Sequence, residues 1–166
     1  MLDFEKAYDR VQWSFLEEVM KVIELPWEWR CAAQALYSNG SSKVLIAGRK
    51  GAQISLTRSI RQGCPLAPFL FLFITEAMSA FFNSQWANLH GLSIPNSRKF
   101  LLDSEFADDT MLYLQGNEVN LERAQMAIDL FCKESEASIN WNKSKGFWIS
   151  SEAEPTWRPN VEFRWL

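Results

Sequence analysis

Two adjacent carboxylates in an apolar run are the first residues of this 166-residue chain whose types could do chemistry: Phe106-Ala107-Asp108-Asp109-Thr110, followed by Met111, Leu112, Tyr113 and Leu114. Such a setting predicts a strand or a hairpin turn with the charge facing outward. Carboxylate oxygens are preferred by hard divalent cations, and phosphoryl transfer uses two such ions on the attacking and leaving oxygens. Asp also favours turns for its own reasons, so a solvated turn stays open at this point. A second candidate is Arg61-Gln62-Gly63-Cys64-Pro65-Leu66-Ala67-Pro68, a loop running into a strongly apolar stretch. Gly63 permits close backbone approach, Pro68 suits a helix start, and the exposed amides of such a start favour phosphate. An ordinary loop-to-helix junction would read the same way.

Composition narrows the class. With 48% hydrophobic residues the chain can bury a sizeable core, as one domain or part of a larger one. A formal net charge of -3 gives no overall basic footprint for nucleic acid, so any such footprint must be local. Cys31, Cys64 and Cys132 are scattered without a CxxC pair, which points away from zinc and disulfide frameworks and toward buried free thiols in a reducing compartment. His90 is the only histidine, which disfavours a catalytic triad. The most apolar segment, Leu66 to Phe82, is interrupted by Pro68, Thr75, Glu76 and Ser79. A soluble protein without a membrane span or secretory signal is expected, placed inside the cell in nucleus or cytoplasm.

The elements that must position these residues follow in chain order. Ser14 with Glu17 predicts a capping box, with Phe15, Leu16, Val19, Met20 and Ile23 at helical spacing behind it and an end near Leu25. Pro26 opens a second helix, Trp27 to Tyr37, which Asn39-Gly40 terminates. Residues 43–47 and 52–57 flank Gly48-Arg49-Lys50-Gly51 as a β-hairpin. The helix from Phe69 to Phe82 is apolar on most sides and is expected at the centre of the fold. Asn83 to Arg98 reads as a polar connection into the strand that ends at the carboxylates. A helix from Val119 to Glu134 puts Leu121, Ala124, Ile128 and Phe131 on one core-facing stripe. A short strand over 138–146 carrying Lys143 and Lys145 toward a turn, a loop over 152–159 and a last strand over 161–166 complete the pattern.

Four stretches in this order resemble the successive palm motifs of reverse transcriptases, most closely those of non-LTR (LINE-type) retrotransposons. They are Asp3-Phe4-Glu5-Lys6-Ala7-Tyr8-Asp9, Arg61-Gln62-Gly63-Cys64-Pro65-Leu66, Phe106-Ala107-Asp108-Asp109 and Asn140-Trp141-Asn142-Lys143-Ser144. The resemblance covers nearly the entire chain. It implies an α+β polymerase palm, a small antiparallel sheet packed on helices, with part of the fingers and incomplete at both ends. It also implies RNA-directed DNA synthesis on an RNA template from a DNA primer and deoxynucleoside triphosphates, with two Mg2+ ions or Mn2+ in their place. Asp3 and Asp108, with Asp109 beside it, match the metal-binding aspartates, which must meet on adjacent strands to hold ions about 3.5–4 Å apart. Tyr8, next to Phe4, matches the aromatic that excludes a 2' hydroxyl. Gln62 and Gly63, after Arg61, match the loop near nucleotide and template. Lys143 matches a lysine that assists the departing pyrophosphate, with Lys145 as its rival.

The departures from the pattern carry expectations of their own. Only Met1 and Leu2 precede Asp3, and the basic fingers segments, primer grip, thumb and endonuclease that would pack around residues 1–166 are expected to lie outside this chain. Weak or absent polymerisation by the chain alone follows, and a decayed or domesticated non-catalytic fragment that binds nucleic acid or a partner is the alternative. Asp103-Ser104-Glu105 stands where relatives often carry neutral residues, adding charge that would raise nearby carboxylate pKa values. Glu136 stands where relatives commonly have glycine after a helix, an unfavourable place for a carboxylate and for a left-handed non-glycine residue.

Overall fold

Strand pairing around the N-terminal carboxylate sets the layout. The computed structural model describes residues 1–106, 109–149 and 164–165. Its elements in chain order are β1 (Leu2–Asp3), α1 (Ala7–Arg10), α2 (Trp13–Val22), α3 (Trp27–Tyr37), β2 (Ser41–Ile46), β3 (Arg49–Ser55) and α4 (Ala67–Phe82), then β4 (Leu92–Ser93), β5 (Phe100–Leu101), β6 (Asp103–Phe106), β7 (Asp109–Leu112), α5 (Glu118–Ser135), β8 (Lys145–Gly146) and β9 (Arg164–Trp165). The architecture is mixed α+β, as expected. A three-stranded antiparallel sheet in the order β1-β7-β6 forms its centre, with Leu2 opposite Thr110 and Asp3 opposite Asp109. The expected loop over 152–159 lies outside the described residues, and of the last expected strand only β9 lies within them, paired in parallel with β8.

Because side chains alternate along a strand and cross-strand partners share a face, the register sorts the sheet into two sides. Leu2 and Thr110, with Glu105 opposite Thr110, face the helices; Leu2 and Thr110 are almost fully buried. Beneath them, α4 contributes Leu70, Phe71, Ile74, Met78 and Phe82, α5 contributes Ala127, Ile128 and Phe131, and α2 contributes Leu16 and Met20 to one core. The apolar helix expected at the centre is there, although Phe69 and Leu72 leave one side of α4 exposed.

Several local expectations give way to tertiary anchors. The helix expected from Ser14 begins at Trp13 with Gln12 as its cap residue, so Ser14 lies inside α2 and no capping box forms. Gln12 is held extended by a bridge to Arg58, and the Trp13 indole donates to the Ser59 carbonyl at 2.8 Å. Glu17 instead meets Arg30 of α3. The hairpin turns at Ala47-Gly48, both left-handed, because Ile46 pairs directly with Arg49; Arg49, Lys50 and Gly51 are strand residues. The polar connection contains the small β4–β5 hairpin, and a Cβ on Gly91 would collide with the Leu101 carbonyl. Only Ile139 keeps strand pairing before β8, since the Asn140 carbonyl accepts from the Lys143 and Ser144 amides and folds 140–144 into a turn. The Asn117 side chain caps α5 by accepting from the Asn120 amide at 2.9 Å.

At the other end of α5, Glu136 adopts the left-handed conformation (φ 57) that a glycine would take without cost. Arg58 donates to its carboxylate at 3.1 Å, and the Gln12 amide nitrogen donates to both oxygens at 2.6 and 2.9 Å. Glu105 shows where the added acidic charge acts. Its Oε1 is shut off from water and accepts no hydrogen bond among the described residues. Burial pushes the Glu105 carboxyl up to about 7; a hydrogen bond from Thr75 opposes the rise, and the charges of Asp103 and Glu76 add to it.

Two outcomes are expected. Glu136→Gly removes a left-handed strain of about 1–2 kcal/mol and gives up a half-exposed ion pair worth about 0–1 kcal/mol. Urea unfolding should therefore show a net gain of about 1 kcal/mol, and a loss would mean that the Arg58 and Gln12 contacts outweigh the strain. For Glu105, the folded-state pKa is raised, so the unfolded chain ionises first as pH climbs. Stability relative to Glu105→Gln should fall between about pH 4.3, the free glutamate value, and pH 7, then level off. A difference that does not change with pH would contradict the buried carboxyl.

Candidate active site

Asp3 and Asp109 are direct cross-strand partners, which places both carboxylates on the side of the sheet away from the helices. Phe106, the partner of Asp109 on β6, lies on the same side and is 84% exposed, so this face is open. Asp108 and Ala107 lie outside the described residues. Among the described residues, neither the Asp3 nor the Asp109 carboxylate accepts a hydrogen bond, and no three Asp, Glu, His or Cys side chains gather closely enough to hold a metal. Glu105 and Asp103 sit on the opposite, helix-facing side. The Asp103 charge adds to the rise at Glu105, whose larger cause is burial.

A strand of two residues has little intrinsic stability, and β1 is held on both edges. The Asp3 amide donates to Ser144 Oγ at 3.1 Å, and the Asp3 carbonyl accepts from the Asn140 amide at 2.8 Å. Glu5 N–H donates to the Ser138 carbonyl, and Lys145 N–H to the Met1 carbonyl. Ser144 is fully buried and its hydroxyl donates to the Asn140 carbonyl at 3.0 Å. Sequence reading passed over Ser144 as a positioning residue; its signal was a serine four residues after Asn140, the spacing of a local side-chain-to-backbone bond. Lys143 occupies the exposed part of this turn, one bond removed from the residue that grips Asp3.

The second group of sequence-predicted residues is tied to the first through α1. Lys6, left-handed at φ 49, turns the chain from β1 into α1, whose Asp9 and Arg10 amides bond to the Lys6 carbonyl. The Tyr8 carbonyl accepts from the Ile60 amide at 2.8 Å and the Val11 carbonyl from the Ser59 amide. Ile60 has no exposed surface, so this clasp fixes the exposed Arg61, Gln62 and Gly63 beside α1. The Tyr8 ring is half-buried and stacks on Phe71 of α4, with centroids 4.6 Å apart and planes inclined at 15°. Gly63 has φ 84 and nothing within 4 Å of a Cβ position. Its glycine is thus required by backbone conformation, and the space beside it is open. Phe4 differs from the others: alternation from Asp3 turns it to the helix side, where it packs against the core. The three cysteines are free and half-buried among the described residues, and no described helix is long and apolar enough to cross a membrane.

Comparison with known proteins shows which family the chain resembles. The family model described as reverse transcriptase (RNA-dependent DNA polymerase) matches residues 1–166. The chain is 32% identical over 145 residues to the uncharacterized 149 kDa protein of transposon TX1 from Xenopus laevis, covering 87% of this chain and 11% of that protein. It is 28% identical over 124 residues to the retrovirus-related Pol polyprotein of the type-1 retrotransposable element R2 from Nasonia vitripennis, covering 71% of this chain and 11% of the other. The chain thus spans about a tenth of the length of these relatives. An uncharacterized mitochondrial protein of Arabidopsis thaliana is 32% identical over 68 residues. With a match along its whole length, paired acidic strands at its centre and relatives among transposon proteins, the chain belongs to the reverse transcriptase (RNA-dependent DNA polymerase) family.

Proposed function

We propose that this chain carries the metal-holding and nucleotide-facing part of an RNA-directed DNA polymerase, and the single observation that carries the reading is the pairing of Asp3 with Asp109. Opposed carboxylates on an open face, with oxygens not engaged by other described side chains, fit the oxygen-donor preference of Mg2+. Asp3, Asp109 and Asp108 would be the ligands. Two bound ions would lower the barrier by stabilising charge on the attacking and leaving oxygens. The primer 3' oxygen forms a bond to the α-phosphorus, the bond to pyrophosphate breaks, and the hydroxyl proton is released.

The chain's own residues align the reactants for this step. Tyr8, stacked on Phe71, offers a rigid ring edge against which a 2' hydroxyl would clash. Arg61, Gln62 and Gly63, clasped to α1 by Ile60, border the open space where a nucleotide and template backbone can approach. Lys143, on the turn that holds Asp3, supplies a cation or a proton to the departing pyrophosphate. Phe4 supports the site from the core side.

Mn2+ titration followed by calorimetry or by water-proton relaxation tests the metal reading on the chain as it is. Asp3→Asn and Asp109→Asn should each weaken the tightest site more than about tenfold, while Lys143→Ala leaves it intact. Unchanged Mn2+ affinity in both aspartate variants would refute the assignment. Robust extension of a DNA primer on an RNA template by the chain alone, lost in Asp109→Asn, would contradict the expected weak or absent polymerisation; loss of both metal binding and extension would favour the binding-module reading.

A further inference from the structure

The β2–β3 hairpin stands away from the core with every residue of both strands exposed. An isolated two-stranded hairpin gains little from its own pairing, so a surface of this kind calls for a partner. Register sorts its residues. Ser41 pairs with Ser55 and Lys43 with Gln53, and past a one-residue register shift in β3 Leu45 pairs with Lys50, so alternation along β2 with cross-strand pairing places these residues on one side. Apart from Leu45, that side consists of hydroxyls, an amide and two ammonium groups. Ser42, Val44, Ile46, Arg49 and Ile54 fall on the other.

Charge identifies the partner. The chain as a whole is acidic, yet between Glu28 and Glu76 it contains no Asp or Glu while it carries Arg30, Lys43, Arg49, Lys50, Arg58 and Arg61. Arg30 and Arg58 are engaged by Glu17 and Glu136. Among the described residues, Lys43, Arg49, Lys50 and Arg61 have no carboxylate within ion-pairing distance. A groove lined by Ser41, Ser42, Arg61, Gln62 and Gly63, with Asp9 of α1 as the one carboxylate among its described lining residues, joins the base of the hairpin to the loop beside α1. Unpaired cations, hydroxyls and an amide along an extended ribbon that itself carries no carboxylate match a row of phosphodiester oxygens.

We infer that the Lys43–Lys50 side of the β2–β3 hairpin is a nucleic-acid backbone-binding arm that continues the track of the Arg61-Gln62-Gly63 loop. It deepens the polymerase reading, since it assigns a holding surface for the strand that the proposed site would copy, but it needs neither metal nor turnover. Contacts to phosphate hold without reading sequence, so the arm binds by charge and is sensitive to salt.

Fluorescence anisotropy with a labelled RNA–DNA hybrid, in EDTA at 50–200 mM KCl, tests it. The expected result for Lys43→Ala/Lys50→Ala is a log–log salt slope shallower by about 2, because each lost phosphate contact removes about 0.9. Over that fourfold salt range, affinity should then change roughly tenfold less than in the parent chain. Lys43→Arg/Lys50→Arg should keep the parent slope, and circular dichroism should show all variants folded alike. An unchanged slope in the alanine variant would overturn the inference. So would a self-associated species that Ile46→Ser disperses while hybrid binding stays the same, which would assign the hairpin to a second copy of the chain. Because EDTA removes divalent ions, failure of the metal-site reading would leave this result untouched, and the reverse also holds.

Discussion

The clamping of a two-residue strand on both edges is the constraint on which the rest depends. Leu2 and Asp3 pair with Thr110 and Asp109 along one edge, while Ser144, Asn140 and Lys145 hydrogen-bond along the other. Backbone groups that would otherwise face water are satisfied on both sides, and Leu2 is driven into the core beneath. Only with β1 in this register does Asp3 stand opposite Asp109. A slip of one residue would send Asp3 into the apolar side with Leu70 and Ile74 and bring Leu2 to the open face. Burial of Leu2, which opposes that slip, therefore fixes the place of a charged group that it does not touch.

From this clamp the site builds outward through backbone bonds. Lys6 turns the chain sharply into α1, and the carbonyls of Tyr8 in α1 and of Val11 just after it accept from the Ile60 and Ser59 amides. Exposed loop residues 61–63 inherit their position from a fully buried neighbour, Ile60. The same segment carries Arg58 to Glu136 and Gln12 to Arg58, so the start of α2, the end of α5 and the base of the hairpin share one polar junction. A left-handed Glu136 that would cost energy alone is tied there by two side chains. Below the sheet, Glu105 is held among Thr75, Asp103 and Glu76, and burial raises its pKa to about 7, because a charge there is poorly solvated.

Much of this was legible in the sequence where a local pattern and the tertiary structure agree. The Leu121, Ala124, Ile128 and Phe131 stripe buried as a helix face must, Pro26 opened α3, and the left-handed Glu136 followed from the residue type that belongs after a helix. Motif order brought Asp3 together with the Asp108-Asp109 stretch, something periodicity alone could not do, because pairing partners so distant in sequence leave no local trace. The misses have a common physical cause. Ser14 is a good cap, but Gln12 is pinned by Arg58 and Trp13 by Ser59, so the helix cap falls two residues earlier than local chemistry would choose. Residues 140–144 have strand-forming neighbours, yet the Asn140 carbonyl gathers bonds from Lys143 and Ser144 and makes a turn. A register of Ile46 with Arg49 moved the hairpin turn to Ala47-Gly48, and nothing in composition distinguishes that from a wider glycine-flanked loop.

On the proposed reading the open-face pair Asp3 and Asp109 is the cation site, and the buried acidic group around Glu105 is not. Paramagnetic broadening by substoichiometric Mn2+ in amide NMR spectra measures this residue by residue. Signals of Asp3, Asp109 and their neighbours Phe4 and Thr110 should fade first, ahead of those from the hairpin and from β4–β5. Broadening centred on Asp103, Glu105 and Glu76, or spread evenly over exposed carboxylates, would contradict it.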